Sequence, residues 1–369
     1  MPLEPHIVEK IAHHCEVEVE QVVVVKDMPS PYQVPVLLQE QGLIQTLRNI
    51  LKLDALNIPQ PLVEKGSKNW HTWKQLTMVN DQFYDEVKIA LVGKYIELHD
   101  SYLSVIKSLE HCAMRCRRRL KLVWVDAEHL ERKMADTEPK NFHKAWHDVC
   151  TAHGILVPGG FGQRGTEGMI AAAQRAREKK IPYLGICLGM QIAVIEYARH
   201  VCGIEAASSE EFNAQAQDRV ILFMPEIDKA TMGGTMRLGL RPTIFQPGSD
   251  WSKLRALYGS KEEILERHRH RYEVNPEYID RLEKAGLTFV GKDEKGERME
   301  IIEFQDHPWF VGVQFHPEYL SRVLNPSKPY LGFMAASAGC LEQITKELQE
   351  EARHMADGVN GITNGVANF

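Results

Sequence analysis

Ile181-Pro-Tyr-Leu-Gly185-Ile-Cys187-Leu-Gly189-Met-Gln191 passes from a short apolar run into a helix-forming run through Gly-x-Cys-x-Gly. Pro182 to Ile186 reads as a buried strand and Leu188 to His200 as a helix, so Cys187 stands at a strand-to-helix turn. Two flanking glycines let a chain turn sharply enough to push a nucleophile out at the carboxyl edge of a sheet. A helix that begins just after the thiol aims its free N–H groups at the same point, which favours a thiolate and a developing oxyanion. The five residues alone fit a buried cysteine in a turn equally well.

Outward from this turn, short apolar strands alternate with helices: Val87 to Val92, Leu120 to Val125 and Gly154 to Val157 are strands, and Ser101 to Arg115, His143 to Cys150 and Thr166 to Lys180 are helices. This pattern predicts an α/β fold, a three-layer domain with a mostly parallel central sheet flanked by helices, and ligands beyond the carboxyl ends of the strands. The loop Pro158-Gly-Gly-Phe-Gly162 follows one such end and offers a further backbone N–H near Gly160. From Arg219 the chain is β-rich up to Phe315, and a last helix spans roughly Leu331 to Glu351. At the start, Pro5 to His14 and Leu43 to Leu53 are helix-like, Gln21 to Lys26 reads as a buried strand, and together they bury little. Pro59 and Pro61, followed by Lys65 to Lys68, mark a linker. The expected division is a first segment 1–55, a linker 56–68, a main domain 69–345 and a disordered tail 346–369 rich in glycine and asparagine.

The 369 residues are 44% hydrophobic and 25% charged, which excludes a disordered or disulfide-stapled chain. A net charge of -6 argues against a basic nucleic-acid binder. Apolar runs such as Val22 to Val25 are far below the ~20 residues of a membrane span, and the acidic start is unlike a signal peptide, so the expectation is a cytoplasmic protein with neither nucleic acid nor membrane as partner. Seven cysteines without a CxxC pair argue against a disulfide framework and a metal knuckle, so no metal site is expected.

A thiol nucleophile needs a base, and the base an orienting group. Val311-Gly-Val-Gln-Phe-His316-Pro-Glu318 ends another apolar strand with a histidine and a carboxylate; Pro317 enforces extended geometry and Glu318 can turn back to the ring. Only the fold can join His316 to Cys187, 129 positions away.

Taken together, Pro158-Gly-Gly-Phe-Gly162, Gly185 to Gln191 and Phe315-His-Pro-Glu318 resemble the signature of the class I glutamine amidotransferases, which use a Cys-His-Glu triad to release ammonia from glutamine. Gly165-Thr-Glu-Gly168, Met232 to Gly239 and Glu266 to Asn275 are similar to the glutaminase domain of the CTP synthase family, and the resemblance covers roughly Val87 to Leu341. The first segment, with Tyr32-Gln-Val-Pro35, resembles the end of that family's synthetase domain. The resemblance implies Cys187, His316 and Glu318 as the catalytic triad. It implies Gly160, Leu188, Gly189, Met190, Gln191, Glu211 and Arg271 as the residues that hold glutamine. An acidic Glu211 suits the substrate ammonium and the fork of Arg271 its carboxylate. Without the resemblance, Glu211 reads more readily as a solvated loop acid and His268-Arg-His-Arg271 as an exposed basic strand.

The resemblance further implies no cofactor for glutamine hydrolysis, GTP as an activator acting through the Met232 to Gly239 stretch, and a homo-oligomer (tetramer, filaments). ATP, Mg²⁺ and UTP belong to a synthetase domain of which this chain carries at most the last ~55 residues, so the chain is expected to perform glutaminase chemistry alone. Two other readings stay open: an interaction module for full-length subunits, and a free-standing γ-glutamyl hydrolase. The Arg271 and Met232 to Gly239 stretches count against the latter.

Overall fold

The computed structural model describes residues 4–78, 85–224 and 236–363, excepting the side chains of 78 and 354–363. The chain forms two compact units, divided between Phe83 and Tyr84. Residues 232–235 of the expected activator stretch lie outside the described residues.

The first unit is helical: α1 (Pro5–Cys15), α2 (Val34–Glu40), α3 (Leu43–Ile50) and α4 (Gln60–Met78). The β-branched run at 21–26 is not a strand. After a single turn at Val19–Gln21 it is irregular, and the Gln41 side-chain amide takes the place of a neighbouring strand, accepting from Val24 N and donating to Val24 O, both at 2.8 Å. The expected linker also differs, because the chain is helical from Gln60; Pro61 falls in the first turn, where a missing N–H costs nothing. Trp73 donates from its indole to Tyr32 O at 3.0 Å, and the buried Gln33 donates to Thr77 O at 3.2 Å. Among the described residues of this unit Ala12 and Val36 are the buried apolar side chains, while Ile11, Val25, Ile44, Ile50, Leu51 and Leu56 are exposed.

The second unit is built on strands β1 (Glu86–Gly93), β2 (Arg119–Asp126), β3 (Gly154–Val157), β4 (Tyr183–Ile186), β5 (Ala207–Ser209), β6 (Asp218–Phe223), β7 (Arg237–Phe245), β8 (Glu263–His270), β9 (Tyr272–Val274), β10 (Thr288–Lys292), β11 (Met299–Glu303) and β12 (Phe310–Val313). The main sheet has the order β2-β1-β3-β4-β12-β11-β10-β7-β8; the pairs from β2 to β12 are parallel and those from β12 to β8 antiparallel. A small sheet, β5-β6-β9, stands beside it.

The helices are α5 (Leu103–Arg115), α6 (Met134–Thr137), α7 (Pro139–Cys150), α8 (Thr166–Lys179), α9 (Leu188–His200), α10 (Lys253–Leu257), α11 (Pro276–Lys284), α12 (Lys328–Ser337) and α13 (Leu341–Thr363). Side chains alternate across the parallel strands. Ala90, Val92, Ile155 and Val157 join a core with α7, α8 and α9, whereas Ile89, Leu91 and Leu156 join another with α5, α10 and α12. This is the expected three-layer α/β domain.

The expected last helix is two. Gly339, at φ 69°, ends α12 in a Schellman turn closed by Cys340 N to Ala335 O at 2.8 Å, and α13 restarts at Leu341. It runs to Thr363, into the stretch expected to be disordered. No helix among the described residues is long and apolar enough to cross a membrane.

β8 escapes a reading for apolar runs because its alternation is written in polar letters: Ile264, Glu266, His268 and His270 face inward, while Glu263, Leu265, Arg267 and Arg269 face out. Burial pushes both histidines well below the usual range and raises the Glu300 carboxyl, 3.2 Å from His268 Nε2, to about 8.

Two tests follow from this packing. A Cβ on Gly189 would lie 2.1 Å from Val157 O, so Gly189→Ala is expected to lower stability by about 3 kcal/mol in urea titration. Glu300 keeps its proton in the folded state and loses it in the unfolded one above the ordinary carboxyl range, so its contribution to stability is lost as pH rises toward 8. Glu300→Gln is expected to flatten the decline of the melting temperature between neutral pH and pH 8.

Candidate active site

β4 delivers Cys187 to the carboxyl edge of the sheet. The residue has φ 53° and ψ -100°, an unfavourable conformation for a side chain-bearing residue. It is held there by its N–H donating to Val313 O at 2.7 Å and by its carbonyl accepting the first bond of α9, from Gln191 N at 3.2 Å. The N–H groups of Leu188, Gly189 and Met190 precede that bond and crowd the helix start. Glycines make the turn possible: a Cβ on Gly185 would lie 2.5 Å from the Gly189 carbonyl.

β12 is the parallel neighbour of β4, with Val313 beside Ile186, so His316 emerges next to Cys187 despite the distance in sequence. His316 N donates to Arg267 O at 2.7 Å. Its Nδ1 is 2.7 Å from Glu318 Oε1, both side chains nearly buried. With Nδ1 engaged, Nε2 is the nitrogen left for the Cys187 sulfur, and both side chains line the same cavity. Burial works against charge on this ring, but Glu318 and Cys187 outweigh it and hold His316 protonated well above the usual histidine range. Gly159 lies against the pair: a Cβ there would meet His316 Cε1 at 2.8 Å and Cys187 Cβ at 3.6 Å.

Cys187, His316, Gly159, Gly160, Phe161 and Tyr95 line a cavity of about 390 Å³. Glu211 Oε1 accepts from Gly162 N at 2.8 Å on the far side of the glycine loop. Burial pushes its carboxyl up, against Gly162, Lys94 and Arg271, which favour the charge. Lys94 donates to the carbonyls of Phe161 and Gly162, and burial lowers it to about 8. Gln191 is buried and its Nε2 donates to Tyr272 O at 3.3 Å and Gln314 Oε1 at 3.1 Å, behind the cavity.

The sequence reading assigned no role to Lys94, Tyr95 or Gln314. The first two follow the carboxyl end of β1, a position that the parallel-sheet rule marks; for Gln314 the only signal is its place two residues before His316. Among the described residues no group of three or more His, Cys, Asp or Glu side chains is arranged to hold a metal ion.

Comparison with known proteins matches this geometry to a family. The model for glutamine amidotransferase class-I matches residues 97–336, and that for the CTP synthase N-terminus matches residues 1–53. A CTP synthase of Neurospora crassa is 60% identical over 360 residues, 98% of this chain and 62% of the relative; one of Schizosaccharomyces pombe is 57% identical over 349 residues, 95% and 58%. The chain thus spans about three fifths of the length of these relatives. A solved structure of the Trypanosoma brucei CTPS glutaminase domain with bound acivicin is 41% identical, with a TM-score of 0.62 over 69% of this chain and 94% of that one. The fold, the Cys-His-Glu arrangement and these matches agree: the chain belongs to the class-I glutamine amidotransferase family, and its curated relatives are CTP synthases.

Proposed function

We propose that the second unit hydrolyses glutamine to glutamate and ammonia, with Cys187, His316 and Glu318 as the catalytic groups. The observation that carries this reading is the Cys187 sulfur and the His316–Glu318 pair facing one cavity floored by Gly159 and Gly160.

The Cys187 thiolate attacks the side-chain carbonyl carbon of glutamine, and the oxyanion rests on N–H groups near Gly160 and Leu188. His316, protonated, gives its Nε2 proton to the leaving nitrogen, and ammonia departs from a γ-glutamyl thioester. The neutral ring then takes a proton from water, the hydroxide attacks the thioester, and glutamate leaves as the thiolate is restored. Glu318 holds the tautomer and the charge of the ring throughout. Glu211 takes the substrate ammonium and Arg271 its carboxylate, with Leu188, Gly189 and Met190 forming the wall at the start of α9, while Gln191, expected to hold glutamine, has its amide engaged by Tyr272 O and Gln314 instead. The place of Glu211 on the glycine loop, where it accepts from Gly162 N, supports this role.

By the same reading, residues 1–55 belong to a synthetase domain and 69–345 to the glutaminase domain of a CTP synthase. In a protein of the relatives' length the ammonia aminates UTP to CTP at the expense of ATP with Mg²⁺, GTP activates the glutaminase, and subunits assemble into homo-oligomers in the cytoplasm. The 1–53 match supports this assignment. No cofactor is needed for the hydrolysis itself.

Glutamate release from glutamine is the direct test. Cys187→Ala is expected to lower it by at least ~10⁴-fold and Glu318→Gln by ~10²- to 10⁴-fold, with native denaturation midpoints. Release that is independent of Cys187 would refute the reading, and no release by the native chain with or without GTP would favour an interaction module. Faster turnover of γ-glutamyl peptides than of glutamine would favour a γ-glutamyl hydrolase.

A further inference from the structure

Gln314, 1% exposed, follows β12 and reaches the Cys187 sulfur, with its Nε2 at 3.5 Å from Sγ. It is the last member of a line of polar groups whose orientations fix one another. Tyr272 O is a backbone carbonyl and can only accept, so Gln191 presents its amide nitrogen there, at 3.3 Å. That nitrogen can only donate, and its second hydrogen meets Gln314 at 3.1 Å, so Gln314 must present Oε1 to it. The Nε2 of Gln314 is left for the sulfur. The Gln314 backbone N–H, bonded to Glu300 O at 2.8 Å, anchors the residue from below. A carbonyl and two amides thus aim an N–H at the reacting atom, in a buried place where a donor is repaid most by a negatively charged acceptor.

We propose that Gln314 is a further functional residue of this site: its amide N–H holds the Cys187 sulfur as a thiolate, and Gln191 acts from behind as a positioning residue that keeps the amide from turning over. The proposal deepens the glutaminase reading and rests on it for its consequence in turnover, but the contact can be tested without turnover.

Iodoacetamide alkylates thiolates and needs no glutamine, so the rate of Cys187 alkylation across pH, followed on the Cys187 peptide by mass spectrometry, reads the contact in the full chain. Gln314→Glu keeps the shape and removes the N–H; Gln314→Met keeps the length and removes the polar end. Both are expected to slow alkylation at neutral pH about tenfold and to move the pH of half-maximal rate upward. They should lower kcat for glutamate release more than they change KM. Gln191→Met, which frees the Gln314 amide to turn, is expected to shift the profile in the same direction by less. A profile superposable on that of the native protein, in a Gln314 variant with a native denaturation midpoint, overturns the proposal. Should both Gln314 variants fail to fold, Gln191→Met decides by the same criterion. A native chain whose Cys187 alkylates with the expected dependence on Gln314, yet releases no glutamate, overturns the glutaminase reading and leaves the contact standing.

Discussion

The second unit depends on one close crossing, that of α9 over β3 and β4. A Cβ at Gly189 would lie 2.1 Å from Val157 O, and one at Gly185 would lie 2.5 Å from Gly189. Backbone therefore packs on backbone where side chains would ordinarily keep the layers apart. The crossing brings the N-terminus of α9 within reach of the loop that follows β3, so the N–H groups of the helix start and those of the glycine loop end up around the same space. It also leaves Cys187 no room for an ordinary strand-to-helix conformation, and the residue takes φ 53°. The cost of that backbone, on the order of 1–3 kcal/mol, is borne by the burial of β4 and of the hydrophobic residues of α9 on either side.

Around this crossing, burial and charge oppose each other at nearly every functional side chain, and the winner differs from one to the next. At His316 the Glu318 carboxylate and the Cys187 sulfur win, and the ring holds its proton. At Glu211 burial wins, although Gly162, Lys94 and Arg271 pull the other way. At Lys94 burial also wins, and the ammonium, lowered to about 8, is spent on the carbonyls of the glycine loop. Each of these groups already has a hydrogen-bond partner within the chain, which keeps it in place before any ligand arrives, as preorganisation requires.

How much of this was legible follows from what each pattern encodes. The parallel strands, the helices between them and the elbow at Cys187 were readable, because apolar runs and paired glycines report directly on burial and turning. The strand expected at 21–26 failed because β-branched residues state a preference that a partner strand must satisfy, and the partner here is the side chain of Gln41. The prolines at 59 and 61 were read as breakers, yet a proline in the first turn starts a helix as well as it ends one. Of β8 the sequence showed only a basic strand at 268–271, read as exposed, because its inward face is Glu266, His268 and His270, residues whose burial no hydropathy pattern announces. His316 was found through its neighbours Pro317 and Glu318; Gln314 was not, since nothing local distinguishes a glutamine that meets a sulfur from one that meets water.

The burial of that polar face has a cause in the topology. β8 is the last strand of the nine, separated from β12 by three others, yet its Arg267 carbonyl accepts from His316 N and its Arg269 carbonyl lies 4.0 Å from the Cys187 sulfur. The antiparallel half of the sheet must therefore curl back on itself until its outermost strand meets the chain that leaves β12. Closure of this kind removes an exposed edge, because the carbonyls of β8 that would face solvent are turned toward the catalytic residues instead. It also seals the inward face of β8 against β11, where Glu300 sits, and side chains that would be charged in water are driven toward their neutral forms. The alternation of arginines outward and histidines inward along β8 then follows from residue type: a guanidinium cannot shed its charge and stays at the surface, whereas an imidazole can be neutralised and enclosed. The backbone of one strand thus steadies the nucleophile and the base, and its side chains can fill the closed interior only because they give up their charge.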